Sequence, residues 1–171
     1  MSSRPAQERH EHTVAVTRVF DAPRERVFAA WTRAEHLAHW FGPKGFTVHS
    51  CEADPRPGVI MHYCLRMPDG GEMWGKFVYR EIVKPERLVL IDSFSDKDGG
   101  TTVHPMSPDW PREMLTKVTC EAQGGKTRVT VQWVPVDAST AIERKAFDEG
   151  RDSMKQGWSG TFEQLESYLS L

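Results

Sequence analysis

Residues 139–169, STAIERKAFDEGRDSMKQGWSGTFEQLESYL, decide the fold. Phe147, Met154, Trp158, Leu165 and Leu169 recur at steps of four and seven, the spacing of one face of an α-helix. Thr140 and Glu143 form a capping-box pattern at the start, and no proline interrupts the stretch as far as Leu169. The pattern predicts a single helix over 139–169. At about 1.5 Å per residue it would run roughly 45 Å, well beyond the usual globular helix. The chain before it is mostly strand-like, so the helix is expected to close a curved antiparallel sheet, with a cavity between the two.

Working back from that helix, residues 114–122 and 127–134 alternate apolar and polar around Gln123-Gly124-Gly125, a hairpin signal. Further strands are predicted over 87–94, 73–83, 59–67 and 46–53. Lys84-Pro85-Glu86, Pro68-Asp69-Gly70-Gly71 and Asp54-Pro55-Arg56-Pro57-Gly58 separate them. Residues 95–111 read as an unusually long loop. At the other end, residues 12–20 form the first strand, with Val14, Val16 and Arg18 on one face. Pro23 stands where a first-turn proline suits a helix bearing Val27, Phe28 and Trp31. Thr32 and Glu35 suggest a second capping box before Leu37, Trp40 and Phe41, and Gly42-Pro43 ends that helix. The order is β-α-α-β6-α, with one domain over 12–171 and a flexible polar tail over 1–11.

Composition narrows the function. A chain of 171 residues supports one well-buried core, and a net charge of −2 supplies no global basic field for nucleic acid. No apolar run reaches the ~18–20 residues of a membrane span, and the first residues lack the apolar core of a signal peptide, so a cytoplasmic location is expected. Cys51, Cys64 and Cys120 are an odd set without a C-x-x-C pattern and suit reduced thiols. Six tryptophans are an excess that must be buried, line a pocket, or do both.

Several segments carry a family resemblance: FDAPRERV (20–27), AWT (30–32), HWFGP (39–43), DPRPG (54–58), MPDG (67–70), YREI (79–82), PERL (85–88) and QGW (156–158), followed by Leu165 and Leu169. With the element order above, they resemble the SRPBCC superfamily, also called START-like or birch-pollen-allergen-like. Within it they are similar to the branch of heat-shock-protein ATPase activator homologues and polyketide cyclase-related proteins. The resemblance covers about residues 12–170. It implies an α+β helix-grip fold, a seven-stranded antiparallel sheet wrapped around a long C-terminal helix with an internal hydrophobic cavity. Members bind lipids, hormones or natural products, and a few cyclise polyketides.

Strand parity and this resemblance together yield a ligand-binding set. Walls are expected from Trp31, Trp40, Met61, Leu65, Trp74, Phe77, Phe94, Met114, Trp133, Met154 and Trp158. Tyr63, Thr116 and His104 would orient a polar substituent. The competing assignment is an ordinary filled core. Gly157 and Gly160 leave room beside Trp158, or permit close helix–sheet packing. His104, Tyr63 and Asp92 are the candidate proton-transfer groups for a cyclase- or hydrolase-type reaction. His104 is equally a residue fixing loop hydrogen bonds. Asp92 is assigned to the solvent side of its strand, with a buried acid of shifted pKa as the alternative. His62 is out of phase with the apolar face. His36 and His39 share a helix face but lack a third ligand, so no metal site is expected. There is no nucleophile elbow, metal-binding H-E-x-x-H or phosphate loop, and no cofactor is expected.

The expected partner is a small hydrophobic molecule, with neither nucleic acid nor membrane insertion. A homodimer is compatible with the sequence. Chaperone regulation is the third alternative. The chain has no additional domain resembling the co-chaperone's partner-binding half, which weighs against that role.

Overall fold

A computed structural model of the protein describes residues 12–42, 44–52, 58, 60–105 and 107–171. The expected tail over 1–11, most of the 54–58 turn and Met106 lie outside these residues.

Among the described residues, eight antiparallel strands form one sheet. They are β1 (Val14–Phe20), β2 (Thr47–Glu52), β3 (Ile60–Arg66), β4 (Glu72–Val83), β5 (Arg87–Ser95), β6 (Thr101–Thr102), β7 (Met114–Gln123) and β8 (Lys126–Pro135). Seven follow the order β1-β8-β7-β5-β4-β3-β2, and the two-residue β6 pairs with the end of β5. The first strand lies beside the last, from Val14 opposite Trp133 to Phe20 opposite Thr127. The β6 strand corrects the reading of residues 95–111 as wholly loop. Asp96 accepts backbone N–H bonds from Asp98 (2.8 Å) and Gly100 (2.9 Å), folding the chain back onto β5.

The helices cover the concave face: α1 (Arg24–Thr32), α2 (Ala34–Trp40), α3 (Ala141–Glu149) and α4 (Arg151–Leu169). Thr32 does not cap α2. It is the last residue of α1, and its hydroxyl donates to Phe28 O at 3.1 Å, while Arg33 occupies the cap without a side-chain bond. Helix α2 ends at Trp40 with Phe41 as its cap, and Gly42 follows with a φ of +105° that suits a residue without a Cβ. The carbonyl of Gly42 accepts from Thr161 Oγ1 (3.0 Å) and Gln164 Nε2 (2.6 Å), binding this turn to α4.

The predicted C-terminal helix is two helices. Thr140 and Glu143 form the expected capping box, each backbone N–H donating to the other side chain at 3.1 Å. Gly150, at φ −89° and ψ 5°, then interrupts the helix. Glycine is a weak helix former, and here Trp110 packs where a side chain would stand: a Cβ at position 150 would lie 2.6 Å from Trp110 Cζ3. Side-chain periodicity persists through the break because α4 continues the apolar stripe.

The core centres on that stripe. Trp158 stacks on Trp31 at 5.9 Å and 11°, and lies 4.8 Å from Trp133 and 5.6 Å from Phe162. Phe162 meets Phe20 edge-on at 5.7 Å, tying α4 to β1. The Trp40 indole donates to Ala30 O at 2.9 Å, so its polar atom is satisfied at full burial. Arg18 faces the same side and ion-pairs with Glu166 of α4 at 3.3 Å.

Candidate functional site

A cavity of about 810 Å³ lies between the sheet and helices α3 and α4. Its strand side carries Tyr63 and Leu65 from β3, Met73 and Phe77 from β4, Asp92 and Phe94 from β5, and Met114 from β7. The helix side carries Met154, Gly157, Trp158 and Thr161, with Phe41 and Phe46 closing one end. Exposed Asp109, Glu149 and Ser153 lie at the mouth, beside His104, Ser107 and Trp110 of the loop after β6.

Pleat alternation explains the strand side. Antiparallel partners share a face: Tyr63 lies opposite Gly75, Leu65 opposite Met73, and Asp92 opposite both Phe77 and Met114. Phe41, Tyr63 and Phe77 make a triangle of edge-on rings at 5.0, 5.5 and 5.6 Å. The Tyr63 ring lies over Gly75, where a Cβ would overlap its hydroxyl and Cζ. The glycine therefore makes room for a phenol in the sheet face. On the helix, a Cβ at Gly157 would meet nothing within 4 Å, whereas one at Gly160 would meet Lys44. Only the first of these glycines borders open space.

Of the sequence-predicted binding residues, the cavity brings together Tyr63, Leu65, Phe77, Phe94, His104, Met114, Met154 and Trp158. It does not bring in Trp31 and Trp133, which pack against the Trp158 ring, or Trp40, which packs against Trp31. Met61 is fully buried, with its sulfur 3.7 Å from Cys51 Sγ. Thr116 sits behind the lining and donates to Asp92 Oδ2 at 3.4 Å. Trp74 is on the convex face of the sheet, stacked on His62 at 5.1 Å. It pairs with Cys64 and is out of phase with Phe77, so the pleat turns it outward.

Asp92 is corrected in the opposite sense. It lines the cavity rather than facing solvent, because it shares parity with buried Leu88 and Leu90 and with Phe94. That parity was present in the sequence. Lining residues that sequence reasoning passed over include Phe41, Phe46, Met73, Trp110 and Glu149. Met73 alone had a usable signal, two-residue spacing from Gly75 and Phe77.

Burial governs the titrating groups. It pushes the Asp92 carboxyl up to about 7, with the Thr116 bond opposing. Burial, then the Asp92 charge, raises the Tyr63 phenol well above its ordinary range, keeping it protonated. His104, 4.7 Å from the Phe94 ring, is lowered by burial. Elsewhere, His36 and His39 both pack against Tyr168, the latter stacked at 5.1 Å. Cys64 and Cys120 are free, buried thiols.

A curled antiparallel sheet holding a C-terminal helix over an apolar cavity defines a helix-grip protein of the SRPBCC type. The profile of the family described as Activator of Hsp90 ATPase homolog 1-like protein matches residues 21–170, and the chain belongs to that family. The fold family commonly binds hydrophobic ligands. No curated protein matches the chain significantly.

Among solved structures, the chain is similar to a protein from Staphylococcus epidermidis, at 25% identity and TM-score 0.73, covering 94% of this chain and 90% of that one. A protein from Arthrobacter aurescens is 24% identical with TM-score 0.76, over 94% and 87% of the two chains. DynU16, a protein of the dynemicin biosynthetic locus, is 20% identical with TM-score 0.66. That likeness covers 93% of this chain but 47% of DynU16. No helix among the described residues is long and apolar enough to cross a membrane.

Proposed function

We propose that the protein binds a small hydrophobic molecule, aromatic or lipid-like, in the cavity between the sheet and α4. The supporting observation is the cavity itself: about 810 Å³, walled by aromatic, methionine and leucine side chains and open at a mouth of polar ones. Preformed pockets of this size suit drug-sized ligands, and the thioethers of Met73, Met114 and Met154 adapt to irregular apolar shapes. Native mass spectrometry on freshly purified protein, with extraction of whatever is bound, tests this directly. A co-purifying hydrophobic molecule is the expected result. Trp110 and Trp158 border the cavity, so ligand entry should also quench tryptophan emission. Unchanged emission and melting temperature across a broad hydrophobic library would count against it.

A cyclase- or hydrolase-type enzyme is the second reading, favoured by Asp92, Tyr63 and His104 all lining the one cavity. A carboxyl titrating near neutrality suits proton transfer at physiological pH. Once a substrate is in hand, full turnover by His104→Ala and Asp92→Asn variants would remove this reading.

A further inference from the structure

The cavity is apolar in shape but one-sided in charge. Its described lining contains three carboxyl groups, on Asp92, Asp109 and Glu149, and no lysine or arginine. Of the cations that flank the lining in sequence, Lys44 is engaged by Glu163, Arg151 by Asp148 at 2.8 Å, and Lys145 by Glu149 of the lining itself at 3.9 Å. His104 is the one basic side chain of the described lining, and its burial favours the neutral ring. Among the described lining residues, a ligand with a carboxylate or phosphate head would thus meet three acids, one of them paired with Lys145, and no lysine or arginine.

Asp92 sits mid-sheet on β5, between Phe77 of β4 and Met114 of β7. Taking a carboxylate out of water is costly unless a cation or several donors accompany it. Thr116 supplies one long bond of 3.4 Å. The cavity that this acid lines also carries the aromatic rings of Tyr63, Phe77, Phe94, Trp110 and Trp158, with Phe77 its direct cross-strand neighbour. Aromatic walls with a carboxylate are the surroundings that stabilise an organic ammonium ion, through the ring quadrupoles and the direct charge.

We propose that the cavity selects hydrophobic organic cations, a protonated amine seated against Asp92 with its apolar body among the aromatic and methionine walls. This rests on the ligand-binding reading above and narrows it to one chemical class. At the mouth, Asp109 adds a negative charge that favours a cation, while the charge of Glu149 is offset by Lys145. The Tyr63 hydroxyl, held over Gly75, is a neutral second partner for the nitrogen.

The probes are phenylbutylamine, phenylbutanol and phenylbutyrate, which share one apolar body and differ in the head. Affinities are measured by calorimetry and tryptophan emission near pH 8, on the wild type and on Asp92→Asn, each first shown to be folded by its melting curve. The amine is expected to bind at least tenfold tighter than the alcohol, with the carboxylate weakest. In Asp92→Asn the amine-to-alcohol ratio should fall close to one.

Equal affinities for amine and alcohol, a carboxylate that binds tightest, or an amine preference that survives in Asp92→Asn would each overturn the proposal while leaving a hydrophobic cavity intact. Binding by none of the three would overturn the cavity reading and this one together. Should Asp92→Asn not fold, the wild type alone decides. Between about pH 6 and 8 the amine stays protonated while Asp92 ionises, so amine affinity should rise several-fold and alcohol affinity should not. The other ionisable groups lining the cavity are Tyr63 from β3, His104 and Asp109 from the loop, and Glu149 from α3. Burial keeps the tyrosine protonated and favours the neutral histidine over that range. A flat amine affinity would overturn the proposal.

Discussion

Replacing Asp92 by Asn should make the empty protein more stable at neutral pH, and the gain should vanish in acid. The carboxyl is pushed from its ordinary 3.8 up to about 7 because burial penalises its charged form. Between those values the folded protein holds a proton that the unfolded chain releases, so stability falls as pH rises from about 4 and levels off above about 7. The loss is about 1.4 kcal/mol per pH unit. From about pH 5 to about pH 7 it reaches an upper limit near 3 kcal/mol, and about 2 kcal/mol after discounting for solvent at the cavity mouth.

Asparagine fills the same space, can accept the Thr116 hydrogen bond, and does not ionise. The assay is urea denaturation of wild type and Asp92→Asn at both pH values, with the difference between them as the readout. That difference should grow by about 2 kcal/mol from acid to neutral, roughly 4–8 °C in melting temperature for a chain of this size. A difference that is the same at both pH values would refute the burial argument. So would a carboxyl carbon of Asp92 that titrates near 4 by NMR.

Two further substitutions test how the cavity is built. Gly75→Ala would drive a methyl into the Tyr63 hydroxyl and ring, so the phenol must swing off the sheet. Urea denaturation should show a loss of about 1–3 kcal/mol, and an unchanged midpoint would refute the placement of Tyr63 over Gly75. Gly150→Ala sets helix propensity against packing: alanine is the better helix former by about 1 kcal/mol, but its methyl would lie 2.6 Å from Trp110 Cζ3. We expect net destabilisation and red-shifted tryptophan emission as that indole moves toward water. A stabilised variant with unchanged emission would show that Trp110 does not rest on the helix break.

Much of this architecture was legible because local chemistry acts over a few residues. The Gly124-Gly125 turn, with φ of 56° and 87°, joins β7 and β8 where the sequence placed a hairpin. The Thr140–Glu143 capping box closes as its spacing predicts. The Thr32–Glu35 pair has the same spacing and fails as a cap, because α1 continues through Thr32 and its hydroxyl turns back to Phe28. A capping motif names a candidate terminus, and the preceding turn decides whether the helix has already begun.

By itself, the sequence determined the order of elements, the turns between them and which residues of a strand or helix share a face, since those arise from backbone periods of two and 3.6. It thereby placed Met154 and Trp158 on one helical stripe and Phe77 on the concave side of β4. Only the tertiary structure decided which apolar residues are core and which are wall. Trp31, Trp133 and Trp158 are equally apolar, yet the first two fill space behind the third, and the third borders the void. Tertiary packing likewise broke the C-terminal helix at Gly150 against Trp110, a contact forty residues distant in the chain. Periodicity states which side chains share a face; the volume left unfilled when the faces meet depends on every element at once. For that reason Asp92, one acid within an apolar strand, took its place in the cavity wall only once β4, β7 and α4 had closed around it.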